Sequence, residues 1–231
     1  MKSRLVSWPR ATRIVASRFP PVDLFERISL DPKDWDAFIA LESLVNPRLR
    51  QDVGEISLVP PEERLSGPGA SYVMAPFTHV NPKGSRFSDG SYGVYYAGRT
   101  FETALFETIY HFEQFFADAD RGVRRSEQMR VLVGVINADF LDVATMPAAG
   151  CGPILQPGDY GAARALAVEL RGEGVNGLVY PSVRHSGGEC VAAFRPKAVG
   201  VPAQTKHLAY HWDGARIDKY FDYDETQWIP L

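Results

Sequence analysis

The run SYGVYYAGRTFETALFETIYHFEQFF, residues 91–116, changes its period within a single turn of chain. Tyr92, Val94 and Tyr96 alternate with Gly93, Tyr95 and Ala97, as in a strand with two distinct faces. Leu105, Ile109, Phe112 and Phe116 then recur at steps of four, three and four, the stripe of an amphipathic helix. Thr100 stands where an N-cap is required. A helix is therefore expected over about residues 101–117, directly after the strand.

The remaining elements mix without a regular βαβ rhythm. VLVGVIN at 131–137 reads as a buried strand and DFLDVA as a second one. Residues 160–174, YGAARALAVELRGEG, read as a helix capped by Asp159, with Ala163, Leu166, Ala167 and Leu170 inward and Gly172 or Gly174 ending it. GLVYPS and CVAAFR are two short strands joined by VRHSGGE, and LAYHWDGARIDKYF is a hairpin about Asp213-Gly214. Near the start, DLFERISLDPKDWDAFIALESLVNPRLRQ is helical with a break at Asp31-Pro32 and an end near Pro47. Trp35, Phe38, Leu41 and Leu44 are its expected buried face. Residues 54–84, rich in Pro and Gly, read as a long irregular connection. The expected class is α+β rather than a doubly wound sheet, in one domain spanning 1–231.

Composition narrows the function. Net charge is −3, which supplies no basic field for nucleic acid, and the densest basic cluster, Arg121, Arg124 and Arg125, is broken by Glu127 and reads as a solvated helix end or loop. Two cysteines, Cys151 and Cys190, make no disulfide framework, and no CxxC or Cys/His cluster marks a metal site. Cys190 opens the apolar run CVAAF and is expected in the core. MKSRLVSWPR carries charge without an apolar run behind it, and no stretch has the length of a membrane span, so a cytoplasmic, reduced location is expected.

Few residues stand out for chemistry. Glu107 lies about 200° around the helix from Leu105, off the core stripe. Most helical glutamates are simply in water, but a sharp turn after Tyr96 creates a cleft that holds both groups. His111, one turn on, shares that face. Arg86, in the glycine-flanked loop KGSRFSDG, is either a surface arginine or a bidentate clamp for phosphate. Ser182 opens a Gly-rich loop and reads by itself as a turn serine. A GxSxG elbow, a Walker loop and a GxGxxG fingerprint are all missing from the sequence.

The segment GSRFSDGSYGVYYAGRTFETALFE, residues 84–107, resembles the first signature of the RES domain family, the toxin half of bacterial RES–Xre toxin–antitoxin pairs. YGAARALAVELRGEGVNGLVYPSVRHSGGECVAAF, residues 160–194, resembles the second, and TRIVASRFPPVDLFERI resembles the opening. Two departures are a longer region over about 27–75 and GSRF in place of a more usual Gly-Gly-Arg-Trp. The hairpin over about 205–222 lies outside the likeness.

The resemblance implies an ADP-ribosyltransferase-like fold with split antiparallel sheets. It implies NAD+ as substrate and no metal. Glu107, Arg86, Tyr96 and Ser182 would be the catalytic set, with Arg13, Arg86, Tyr96 and Ser182 binding NAD+; Arg13 is preferred to Arg18 as the first family arginine. Glu107 would stabilise the cationic ribose as the nicotinamide bond breaks, the arginines would grip the pyrophosphate, and Tyr96 would stack on nicotinamide. Water, phosphate or a protein side chain would be the acceptor, giving a glycohydrolase, a phosphorylase or a mono-ADP-ribosyltransferase. The expected partner is an Xre-type antitoxin, with a homodimer of this chain allowed within that complex and no direct binding of nucleic acid or membrane. A non-catalytic nucleotide-binding module is the rival reading.

Overall fold

The computed structural model of the chain describes residues 1–19, 23–28, 30–46, 52–119 and 122–231. Its described strands are β1 (Lys2–Ala16), β2 (Tyr95–Gly98), β3 (Arg125–Asp142), β4 (Gly177–Pro181), β5 (Glu189–Ala193), β6 (Ala203–Trp212), β7 (Ile217–Asp222) and β8 (Gln227–Pro230). The helices are α1 (Asp23–Arg27), α2 (Trp35–Val45), α3 (Ala70–Thr78), α4 (Phe101–Ala119), α5 (Ala148–Ile154) and α6 (Gly161–Gly172), with short 3-10 turns between them. All eight strands belong to one hydrogen-bonded sheet, antiparallel except where β3 meets β4. The class is α+β.

The sheet splits at β3. One edge of β3 pairs with β1 from Lys2↔Asp142 to Ala16↔Met129. That ladder shifts register between Trp8 and Ala11, where Pro9 has no N–H to give. The other edge is shared, since Arg125–Val133 carries β6, β7 and β8, while Leu141 and Asp142 carry β4. From β4 the pairing runs through β5 and β2 and returns to β1 at Thr12↔Gly98, so five strands close a ring. The expected split is therefore a fork in a single sheet.

Three apolar clusters fill the faces. Phe25, Trp35, Val73, Met74 and Phe77 pack against Val6, Trp8, Tyr95, Ala97 and Val191. Leu105, Ile109 and Phe116 of α4 pack on Met129, Val131, Leu208, Tyr210 and Trp212. Ala163, Ala167 and Leu170 of α6 cover Phe87, Tyr92, Val94, Leu178 and Ala192. The alternation at 92–97 is thus real, with Tyr95 and Ala97 in the first cluster and Tyr92, Val94 and Tyr96 in or against the third. Thr100 Oγ1 accepts from Thr103 N at 3.3 Å, the cap that starts α4.

Several expectations need correction. Residues 54–84 are not irregular throughout, because α3 forms within them and carries Pro76 inside it. VLVGVIN and the first four residues of DFLDVA are one continuous strand, β3, and Val143–Thr145 is a 3-10 turn. Arg125 opens that strand, 3.7 Å from Glu127 and stacked on Phe116, rather than ending a helix, and Arg121 lies outside the described residues. On α2, Trp35 and Ile39 are buried while Leu41 and Leu44 are 64% and 77% exposed. The reason is angular. A strict three-residue step falls about 60° short of a full turn each time, so Leu44 has rotated to the side opposite Trp35. The expected end near Pro47 lies outside the described residues. β8 adds a strand beyond the hairpin, and no described helix is long and apolar enough to cross a membrane.

Candidate active site

The β2-to-α4 turn forms one wall of a cleft of about 200 Å3 whose lining includes Arg13, Arg86, Tyr96, Glu107, His111 and Cys190. β1 brings Arg13, α4 brings Glu107 and His111, and β5 brings Cys190. The volume is below the ~300–1,000 Å3 that encloses a drug-sized ligand.

Glu107 sits partly buried and points into this cleft rather than into bulk water. Ser182 is absent from the lining but reaches it through Glu107, to whose Oε1 its hydroxyl donates at 2.6 Å. The direction is fixed by the loop after β4, because Ser182 Oγ accepts from Arg184 N (3.2 Å) and His185 N (2.9 Å). With both lone pairs occupied, its proton faces the carboxylate. Cys190 Sγ lies 3.8 Å from the same oxygen. Burial, followed by the nearness of Glu107, pushes the Cys190 thiol far up, so it stays protonated and is no nucleophile.

Arg86 is buried and held from behind. Its Nη1 donates to the carbonyls of Ile154 (3.1 Å) and Gln156 (2.8 Å), and the guanidinium lies 4.6 Å from the Tyr160 ring centre. Among the described residues Nε and Nη2 have no protein partner, which leaves an edge of the fork for a ligand. Arg13 Nη1 donates to the Tyr96 carbonyl at 2.9 Å, its guanidinium stacks over Tyr95 at 4.8 Å, and its Nε is buried with no partner among the described residues. Burial lowers the Arg13 pKa against the pull of Tyr95 and Tyr96. Arg18 stands elsewhere, 3.4 Å from Glu127 and over Phe19 and Phe115.

Tyr96 fastens the loop that carries Arg86. Its hydroxyl lies 2.8 Å from Ser85 Oγ and accepts from Phe87 N at 3.0 Å, bonding the residues on either side of Arg86. Burial raises its pKa to about 12, so the phenol remains protonated. Arg164 of α6 grips the same loop from outside, donating to the carbonyls of Ser85 and Lys83 at 2.9 Å each. His111 lies at the exposed mouth, where crowding lowers its pKa against the pull of Glu107, and Arg184 and Arg86 add to the lowering; the imidazole is neutral near pH 7. Arg184 stacks 3.3 Å from the Tyr110 ring centre and donates to the Pro157 carbonyl.

Sequence reasoning missed Arg164, Arg184, Tyr160 and Tyr180 around this cleft. The spacing of Tyr160 and Arg164 places both on one helix turn, yet nothing in the string says that the turn faces residues 83–86. Among the described residues no group of three His, Cys, Asp or Glu is arranged to hold a metal ion.

Comparison with known proteins gives two relatives and a family. The chain is 28% identical over 223 residues to the uncharacterized protein y4oC of Sinorhizobium fredii, covering 93% of this chain and 87% of that one. It is similar in structure to a chain of the M. tuberculosis MbcT–MbcA toxin–antitoxin complex, with a TM-score of 0.43 and 10% identity over 92% of this chain and 88% of that one. Residues 61–213, which carry Arg86, Tyr96, Glu107 and Ser182 but not Arg13, match the RES domain, and the chain belongs to the RES domain family.

Proposed function

We propose that this protein consumes NAD+ by breaking the bond between nicotinamide and ribose, with water or phosphate as acceptor, as the toxin of a toxin–antitoxin pair. The observation that carries the reading is the Glu107 carboxylate, oriented by Ser182 in a cleft that it shares with two part-unpartnered guanidiniums, Arg13 and Arg86. As the bond lengthens, positive charge builds on the ribose ring, and a fixed carboxylate beside that ring is worth more in the transition state than in the ground state. The electron pair of the bond leaves with the nicotinamide, which departs neutral from a cationic state and needs no proton. Water then adds at the ribose carbon, giving ADP-ribose and one released proton; phosphate gives the corresponding sugar phosphate.

In this reading the nicotinamide and its ribose enter the cleft, and Arg86 and Arg13, which line it, face the pyrophosphate. In this reading Tyr96 supplies a ring beside the nicotinamide and also holds Arg86 in place. The partner is an Xre-type antitoxin that covers the mouth and so blocks entry of the dinucleotide.

The test incubates the pure protein with NAD+, with and without phosphate, and identifies products by chromatography and mass. Free nicotinamide is expected, and Glu107→Gln should slow its release by about 10²–10³-fold. Label appearing only on a protein would replace depletion by ADP-ribosyl transfer. Equal NAD+ binding by wild type and Glu107→Gln with turnover in neither would make the protein a binding module.

A further inference from the structure

Besides the stack of Arg184 on Tyr110, two side-chain hydrogen bonds among the described residues join the 182–188 loop to α4, the first being the grip of Ser182 on Glu107. The second lies one helical turn earlier. His185 Nδ1 is 3.0 Å from Thr103 Oγ1, and its ring stacks on Phe106 with centroids 5.4 Å apart and planes at 24°. Thr103 is fully buried, and its own N–H and hydroxyl are tied to Thr100 Oγ1 at 3.3 and 3.2 Å, so the loop docks on a fixed point of the helix cap. Thr103 and Glu107 are four residues apart and share one face of α4.

The loop is braced at its base as well. Ser182 N donates to the Gly188 carbonyl at 2.8 Å, and Gly188 N to the His185 carbonyl at 3.0 Å. A Cβ at position 188 would stand 2.6 Å from Thr103 Oγ1 and 2.9 Å from His185 Nδ1, inside the contact itself. The close approach of loop and helix therefore requires glycine there.

These contacts form a chain. Thr103 holds His185, whose N–H, with that of Arg184, fills the acceptor sites of Ser182 Oγ; the filled hydroxyl then donates to Glu107. We infer that His185 is a positioning residue for Glu107, acting through its Nδ1 bond to Thr103 and needing neither contact with the substrate nor proton transfer. The inference rests on the proposed role of Glu107 for its kinetic part, and on the loop geometry alone for its structural part.

The atom involved gives a sharp test. An asparagine amide places a hydrogen-bonding atom near the position of Nδ1, whereas a glutamine amide reaches toward Nε2. His185→Asn should keep kcat for NAD+ consumption within about threefold of wild type. His185→Gln and His185→Ala should lose roughly ten- to a hundredfold in kcat with KM within twofold, since misplacement by about 1 Å costs up to 10²-fold. Gly188→Ala should resemble His185→Ala.

Amide hydrogen exchange at Arg184 and His185 provides a readout that does not require turnover. Protection is expected in wild type and His185→Asn, and its loss in His185→Gln and His185→Ala. A wild type without NAD+ turnover but with this exchange pattern would remove the proposed reaction and leave the docking contact intact. Equal exchange and equal kinetics for His185→Asn and His185→Gln, or a His185→Ala variant indistinguishable from wild type, would overturn the inference.

Discussion

Tyr96→Phe removes one oxygen and keeps the ring, and so separates two roles that a single residue combines. The lost hydroxyl bonds Ser85 Oγ at 2.8 Å and accepts from Phe87 N at 3.0 Å. Ser85 is partly open and recovers a bond to water, at small cost. Phe87 is fully buried, so its N–H loses its acceptor without replacement, which costs about 1–3 kcal/mol. A net loss of about 2 kcal/mol corresponds to a fall in Tm of roughly 4–8 °C for a domain of this size. The loosened 85–87 segment also carries Arg86. If about 0.7–1.4 kcal/mol of that loss falls on ligand binding, KM for NAD+ rises by about three- to tenfold. The ring itself is kept in the variant, so under the proposed reaction kcat should change by less than about twofold. Thermal unfolding and steady-state assays on the same preparation measure both quantities. Unchanged Tm and KM would refute the clamp, and a fall in kcat at constant KM would show that the hydroxyl serves the reaction directly.

Other substitutions probe the frame. Arg164→Ala releases the carbonyls of Lys83 and Ser85 and should raise KM in the direction of Tyr96→Phe, by about two- to fivefold, with little change in Tm because both bonds are near the surface. Gly177→Ala should abolish soluble expression or lower stability by more than about 3 kcal/mol, since φ is +143° and the new Cβ would stand 2.1 Å from the Ala192 carbonyl oxygen across the β4–β5 ladder. Glu189 bonds Arg4 at 2.7 Å and Arg99 at 2.8 Å; burial raises its pKa, but the two arginines outweigh burial and leave it lowered. A lowered carboxylate contributes stability that is complete above its unfolded value, about 4.3, and is lost as pH falls through the folded value. Glu189→Gln should therefore flatten the acid limb of the stability curve below about pH 4.3, and an unchanged limb in acid titration by circular dichroism would contradict this.

The parts of the fold legible in the sequence are those where one face is apolar and the other is not. Tyr92 to Ala97 and Leu105 to Phe116 announced their periods because each face meets a different medium or core. α3 was hidden because Pro76 lies inside it and glycines precede it, features that normally mark a loop. β3 was divided in two because Asn137 and Asp139 interrupt its apolar run; in the fold both stand opposite β1, at Ser7 and Leu5, where the ladder rather than the side chain sustains the strand. Leu41 and Leu44 illustrate the converse, apolar residues whose spacing looked helical but drifted onto the exposed side. Of the candidate site, the chemical types were visible in two sequence blocks and the meeting of Tyr96 with Glu107 followed from the turn between them, but spacing did not bring Arg13 and Ser182 to the same place. Ser182 touches Glu107 across 75 residues of chain, and Arg13 meets Tyr96 across 83, distances that only the closed ring of strands spans. The clamp that Tyr96 makes was equally hidden, since its partners at 85 and 87 are in a loop of no fixed period.

The pairing of β1 with β3 has a temporal side. Arg13 is opposite Leu132, and the ladder runs on to Lys2 opposite Asp142, so the first strand made must wait for one of the later ones. At roughly 5–20 residues per second on the ribosome, that wait is of order ten seconds. Until it ends the ring is open, and the wall that brings Arg13 to the cleft has nothing to stand on. A nascent chain therefore has no finished cleft until the segment around Leu132 has left the ribosome and closed against the opening strand.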